Sequence, residues 1–209
     1  MFYMNNPFIP HFASPPKMTS GRTALWQAMA TLGYKKTYHE ITVKELCKSA
    51  YIARSTFYLT YKNIDELLME MEDYYLRQLI PIYDVYVKTN YLNRQDHFCS
   101  DTIRYIQENR KVFYLFLVQQ PNMRFIQKWK ILLKYCLWEN LKKGDTSGTL
   151  TPQEELLFEM ISGEIVTAHG ILLKYTQEET VEDLKKVLNE GLCFFGKMYT
   201  LINTGQNAQ

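Results

Sequence analysis

Residues ~42–61 carry the tightest constraint in this chain of 209 residues: two helices that must both be short, joined by only a few residues. Thr42 and Glu45 form a Thr-x-x-Glu capping box. In such a box the threonine hydroxyl accepts the amide of the third helical residue, and the glutamate reaches back to the cap amide. Ile41 and Leu46 occupy the flanking staple positions, so a helix starts at Val43. It cannot run far, because Ser49-Ala50-Tyr51-Ile52 has to turn before Arg54-Ser55-Thr56-Phe57-Tyr58 begins a second helix. Asn63 then caps a third, with Asp65 and Glu66 in its first turn, where the helix dipole favours negative charge. Leu67, Leu68, Met71, Tyr74 and Tyr75 continue it to about Ile80, and Pro81 is expected to end or kink it.

The same helical period runs through the rest of the chain. Leu25, Ala28, Met29 and Leu32 predict an amphipathic helix ahead of the motif, with Gly33 as its stop and residues 34–40 as a connector. Further helices are expected at 95–108, 111–119, 123–142, 153–176 and 180–202, punctuated by Pro121, Gly144-Asp145-Thr146-Ser147-Gly148 and Pro152. No stretch alternates apolar and polar residues between turn signals, so no sheet is expected, and no internal repeat is visible. Hydrophobic residues make up 46% of the chain, enough for a substantial core. The expected fold is therefore all-α. A flexible arm at 1–17, marked by Pro7, Pro10, Pro15 and Pro16, leads into a three-helix helix-turn-helix domain at 18–62. A connecting helix at 63–81 joins it to a larger helical ligand-binding and dimerisation domain at 82–209.

Composition narrows the function less than the motif does. A net charge of +2 neither demands nor excludes nucleic acid, since a local patch matters more than the total. Cys47, Cys99, Cys136 and Cys193 form no Cys-x-x-Cys, and His11, His39, His97 and His169 are scattered. His97 and Cys99 make the only near approach, and reduced thiols are the better reading than a metal site. No metal or cofactor is expected. A Gly-rich phosphate loop, a nucleophile elbow and a metal-spaced pair are all missing, so no enzyme is expected. The first residues show no secretory signal, and the longest apolar run, 112–118, is far too short to cross a bilayer. The chain is expected in the cytoplasm, with no membrane partner.

Two short helices across a tight turn make a helix-turn-helix. The second helix must stand proud of the core to enter a major groove, and the first must brace it while crossing the DNA backbone. Leu46, Ala50, Ile52 and Phe57 supply the apolar brace, leaving Arg54, Ser55, Tyr58, Leu59 and Thr60 to point outward.

At these residues the chain resembles the TetR family of bacterial regulators. The likeness rests on Ile41-Thr42-Val43-Lys44-Glu45-Leu46-Cys47-Lys48-Ser49-Ala50, on Ile52-Ala53-Arg54-Ser55-Thr56-Phe57-Tyr58, on Tyr61-Lys62-Asn63 and on Glu66-Leu67-Leu68, and it covers roughly residues 19–80. The resemblance implies that Thr42, Thr56, Tyr58 and Lys62 hold DNA phosphates. Arg54 and Ser55 match positions that meet base edges, and Tyr58 can serve either role. Lys44 and Thr60 complete the candidate DNA-binding set. Departures accompany the match: Tyr51 stands where the family turn has glycine, and Ala53 where the next helix usually begins with serine. Leu59 and Thr60 replace a common arginine and histidine, and Ile64 replaces a phosphate-binding lysine. The function so implied is a ligand-responsive repressor that binds operator DNA as a homodimer. The alternative is a coactivator or protein-interaction module that keeps the fold and binds DNA weakly or not at all.

The last two helices are apolar on more than one face, through Leu156, Leu157, Met160, Ile161, Ile165, Ala168, Ile171, Leu172 and Tyr175, and through Leu184, Val187, Leu188, Leu192, Phe195, Met198, Tyr199 and Ile202. A monomer core and a two-fold four-helix interface both fit; the second is favoured and places a homodimer on helices ~153–176 and ~180–202. The middle helices are crowded with rings. Ordinary core packing explains them, and the functional alternative is a pocket for a small apolar or aromatic effector. Its candidate residues are Arg104, Tyr105, Gln107, Phe113, Trp129, Trp138 and Glu164. His169, alone in an apolar helix, reads as a hydrogen-bonded structural residue.

Overall fold

The computed structural model describes residues 6–88, 95–142 and 147–206, and among these the chain is all-α, with no strand. The ordered helices are α1 (Ser20–Gly33), α2 (Val43–Ala50), α3 (Arg54–Tyr58), α4 (Ile64–Arg77), α5 (Leu79–Lys88), α6 (Gln95–Glu108), α7 (Arg110–Tyr114), α8 (Met123–Leu141), α9 (Pro152–Leu172) and α10 (Glu178–Gln206). A 3-10 turn at Tyr38–Glu40 lies within the expected connector, and a wider π turn at Leu115–Gln119 follows α7. The expected loop at 144–148 falls mostly outside the described residues, and so do the side chains of His97 and Cys99.

The chain divides into two compact units. The helix-turn-helix unit comprises His11–Gln78 and Asn109–Ile126, and the long-helix unit comprises Met1–Pro10, Leu79–Glu108 and Gln127–Gln209. This differs from the expected division at residue 82. Residues 109–126, far away in sequence, supply Phe113, Phe116 and Phe125 to the core that α1 to α4 build, and sequence proximity says nothing of that.

Inside the helix-turn-helix unit, Trp26, Met29, Leu46, Phe57, Leu67, Leu68 and Met71 are buried together with those phenylalanines. Phe116 stacks on Phe125 with centroids 4.6 Å apart. α1 ends at Gly33 as expected, though not through a left-handed glycine. The chain continues right-handed through Tyr34, and a β-carbon at Gly33 would have to push the end of the Leu115 side chain aside. Glu72, fully buried on α4, is bound by Arg124 at 2.8 Å and by the Asn122 amide at 3.1 Å. Arg124 also reaches Asp65 at 2.9 Å, and these carboxylates, Glu72 foremost, hold its pKa above the usual arginine range. A buried charge without such partners would be strongly destabilising.

The long-helix unit is built around Tyr83, Trp129, Leu132, Leu133, Phe158, Ile161, Ile165, Leu188 and Leu192, with α9 packed on α10. Pro152 opens α9, behind a complete Thr151–Glu154 capping box. Where α10 crosses α9, Gly191 leaves room for the Glu164 carboxyl, which a β-carbon would displace. Pro81 neither ends nor kinks α4. The break comes earlier, at Gln78, and Pro81 is the third residue of α5, a first-turn position that makes little demand on the missing N–H.

The arm expected to be flexible is tied down over its described part. In the long-helix unit, the Asn6 amide donates to buried Glu139 at 2.7 Å and to the Tyr135 carbonyl at 3.2 Å. Phe8 lies against Trp138 and Phe158 there, with the Lys134 ammonium over its ring. In the helix-turn-helix unit, Arg77 donates to the carbonyls of Phe12 and Ala13, and the Ala13 amide donates to Asp73. Prolines excluded a helix here, but they do not exclude docking.

Candidate nucleic-acid interface

The motif is assembled from its caps. Thr42 accepts the Glu45 amide at 3.2 Å and starts α2. The return half of the capping box is not made, because the Glu45 carboxylate is drawn to Lys36 at 2.6 Å. At the other end, Ile52 N donates to Cys47 O at 3.0 Å and Tyr51 N to Lys48 O at 3.3 Å. That pair of bonds is a Schellman stop, which requires a left-handed residue at its turn. Tyr51 is that residue, with φ 55° and ψ 40°, and no other non-glycine described here has a positive φ. Ala53 precedes α3 with no side-chain cap.

Below the turn, Leu46, Ala50 and Phe57 are buried and Ile52 half-buried, its methyl facing Gly21 of α1. Tyr61 completes the base. Its hydroxyl donates to Glu70 at 2.7 Å and accepts from Trp26 at 3.1 Å and Arg22 at 3.2 Å, while Arg22 also binds Glu70 at 2.6 Å. Burial foremost, and then the Glu70 carboxylate, push the Tyr61 pKa up to about 12, so the phenol stays a donor. This lock joins the end of the motif to α1 and α4. The sequence carries no local signal for it, since its bonds to Arg22 and Trp26 of α1 span 35 to 48 positions.

Above the turn, every candidate DNA-binding residue is exposed: Thr42 and Lys44 on the α2 side, Arg54, Ser55, Thr56 and Tyr58 on α3, then Thr60 and Lys62. Leu59 is 86% exposed and Tyr51 97% exposed. Residues 42–63 hold four cations, Lys44, Lys48, Arg54 and Lys62, against the single acid Glu45, which Lys36 already neutralises. Lys44, Lys48 and Arg54 have no acidic partner among the described residues, and Lys62 makes only an exposed contact with Glu66 at 3.4 Å. An exposed, acid-poor surface of ammonium, guanidinium and hydroxyl groups suits phosphate oxygens.

A protein from Lactococcus lactis subsp. lactis (strain IL1403), the HTH-type dhaKLM operon transcriptional activator DhaS, is 27% identical over 121 residues. That match takes in 57% of this chain and 62% of the relative, so the chain spans less than two thirds of the relative's length. Among solved structures, a dihydroxyacetone kinase operon activator DhaS superposes with a TM-score of 0.55 at 19% identity, over 87% of this chain and 97% of that one. The fatty acid degradation regulator FadR from Bacillus halodurans superposes with a TM-score of 0.56 at 18% identity, over 85% and 98%. These are transcription regulators, not enzymes. No family model matches the chain. The two solved structures share its architecture, an N-terminal helix-turn-helix followed by a helical domain.

The seven candidate pocket residues fall in both units. Phe113 belongs to the core of the helix-turn-helix unit, between Tyr75 and Phe125. Arg104 is exposed on α6 and paired with Asp101, and Tyr105 and Gln107 of the same helix are half-buried. Trp129 and Trp138 are buried in the long-helix unit, Trp129 donating to Tyr83 at 3.0 Å. Glu164 is half-buried against Gly191, and desolvation pushes its pKa up. The spacing of rings along a helix could not separate these surroundings. His169 is buried beside Trp129, its Nδ1 2.6 Å from Ile165 O, and burial pushes its pKa down to about 4. Cys47 and Cys136 are buried thiols with raised pKa values, Cys136 well above the usual range. Among the described residues no helix is long and apolar enough to cross a membrane.

Proposed function

We propose that this chain is a DNA-binding transcription regulator of the TetR type that grips duplex DNA through α2, α3 and the turn into α4. One observation supports the reading above the rest. The eight residues singled out as DNA contacts are all exposed, while the apolar partners of the same short helices are buried. Arg54, near the start of α3, would read a guanine edge, a contact that contributes about 1–3 kcal/mol of discrimination. Thr42, Thr56, Tyr58 and Lys62 would hold phosphates, with Lys44, Ser55 and Thr60 completing the surface.

A helix-turn-helix reads two half-sites about 34–36 Å apart, and so calls for two copies. Leu156, Met160 and Ile171 of α9, Tyr175 just beyond it, and Val187, Phe194 and Leu201 of α10 are exposed apolar side chains, Val187 at 69%. Val187, Phe194 and Leu201 recur every seven residues and mark one stripe of α10. A second copy of this chain is the occupant that fits both the stripe and the two half-sites. Activation is favoured over repression by one finding, that a relative is named as an operon activator.

The test is binding of fluorescent DNA from immediately upstream of this chain's own gene, titrated with KCl. Affinity should fall steeply with salt, because each neutralised phosphate releases counterions. Salt-insensitive or absent binding would replace this reading with that of a protein-interaction module on the same fold.

A further inference from the structure

Tyr51 is held in a conformation that glycine adopts freely and tyrosine resists, on a turn that closes through backbone bonds alone. The side chain contributes nothing to holding the turn. It is 97% exposed, and its hydroxyl has no partner among the described residues. A bulky aromatic kept at a left-handed position without internal contacts works against the fold unless it meets something outside it. Its neighbours say what: Lys48 and Arg54 flank it in sequence, both exposed, and no acid lies between Glu45 and Asp65. A phosphate oxygen suits that setting, and tyrosine is a common donor to the DNA backbone.

We propose that Tyr51 is a further DNA contact, its phenol O–H donating to a backbone phosphate beside the groove that α3 enters. The proposal rests on the DNA-binding reading above. A phenol is uncharged, so its contact adds affinity without releasing a counterion, unlike Lys44 or Lys62.

The experiment compares wild type, Tyr51→Gly, Tyr51→Phe and Arg54→Ala for thermal stability and for binding to the same upstream DNA across a KCl series. Tyr51→Gly should melt about 2–4 °C higher, as the strained turn relaxes, and yet bind DNA less tightly. Tyr51→Phe should keep the wild-type melting temperature and lose about five- to tenfold in affinity, with the slope of affinity against salt unchanged. Wild-type affinity in Tyr51→Phe overturns the proposal and leaves the DNA-binding reading intact, provided Arg54→Ala is weakened. Absence of salt-dependent binding by the wild type overturns both.

Discussion

The α2–α3 motif and the α9–α10 pair leave opposite surfaces exposed. In the motif most apolar side chains point in, Leu59 excepted, and cations and hydroxyls face solvent. In the long helices a polar atom is tucked inside at His169, and part of the apolar surface stays outside at Val187, Phe194 and Leu201. Water tolerates the first arrangement and opposes the second, since each exposed large apolar side chain forgoes about 1.5–3 kcal/mol of burial. On the function proposed above, the difference teaches that the two regions suit different partners: one polyanionic, recognised by charge and hydrogen bonds, the other apolar, recognised by burial.

The comparison breaks most sharply at α10. Val187→Asp with Phe194→Asp should convert a dimer to monomers, seen by sedimentation, because each change occurs twice in a symmetric interface. A species of unchanged size would remove the apolar half of the contrast. Next in size is Phe57→Ala, which empties the base of the motif and should cost about 3–5 kcal/mol in denaturant unfolding. A cost near zero would mean that α3 does not depend on its buried face. In the long helices His169 gives a pH test. Its folded pKa of about 4 lies below the ordinary 6.5, so the unfolded chain binds the proton more readily. Stability is therefore fully present above pH 6.5 and falls as the pH drops toward 4, by up to about 3 kcal/mol. His169→Phe should flatten that part of the profile, and an unaltered slope would assign it to other groups. The smallest effect is Arg54→Ala, about 1–3 kcal/mol in DNA affinity with relaxed base preference and no change in sedimentation. Loss of the dimer in that variant would show that the two surfaces are not separable.

Much of the helix-turn-helix was legible because its signals are local. A cap such as Thr42 or Asn63 acts within three residues, and the apolar period of α2 and α4 repeats every turn. The outward setting of Arg54, Ser55, Tyr58, Leu59 and Thr60 follows from that periodicity, whereas Thr42, Thr56 and Lys62 were singled out by the family resemblance. The surroundings of the candidate pocket rings were not legible, because Phe113 and Trp129 are both rings on apolar helix faces and yet are buried in different units. The left-handed turn at Tyr51 was visible as a departure from a glycine position. That its side chain stands free of every described neighbour was not.

The sequence by itself determined most of the helices, the Thr42 and Asn63 caps and the short span of the motif, since these depend on interactions within a turn or two of the chain. Only the tertiary structure decided what lies far apart in sequence. It brought Arg124 to Glu72, Tyr61 to Arg22 and Glu70, and Asn6 to Glu139. It also placed residues 109–126 in the same unit as the motif. Such pairings depend on which faces of distant helices meet, and local periodicity shows that a face is apolar without naming its partner.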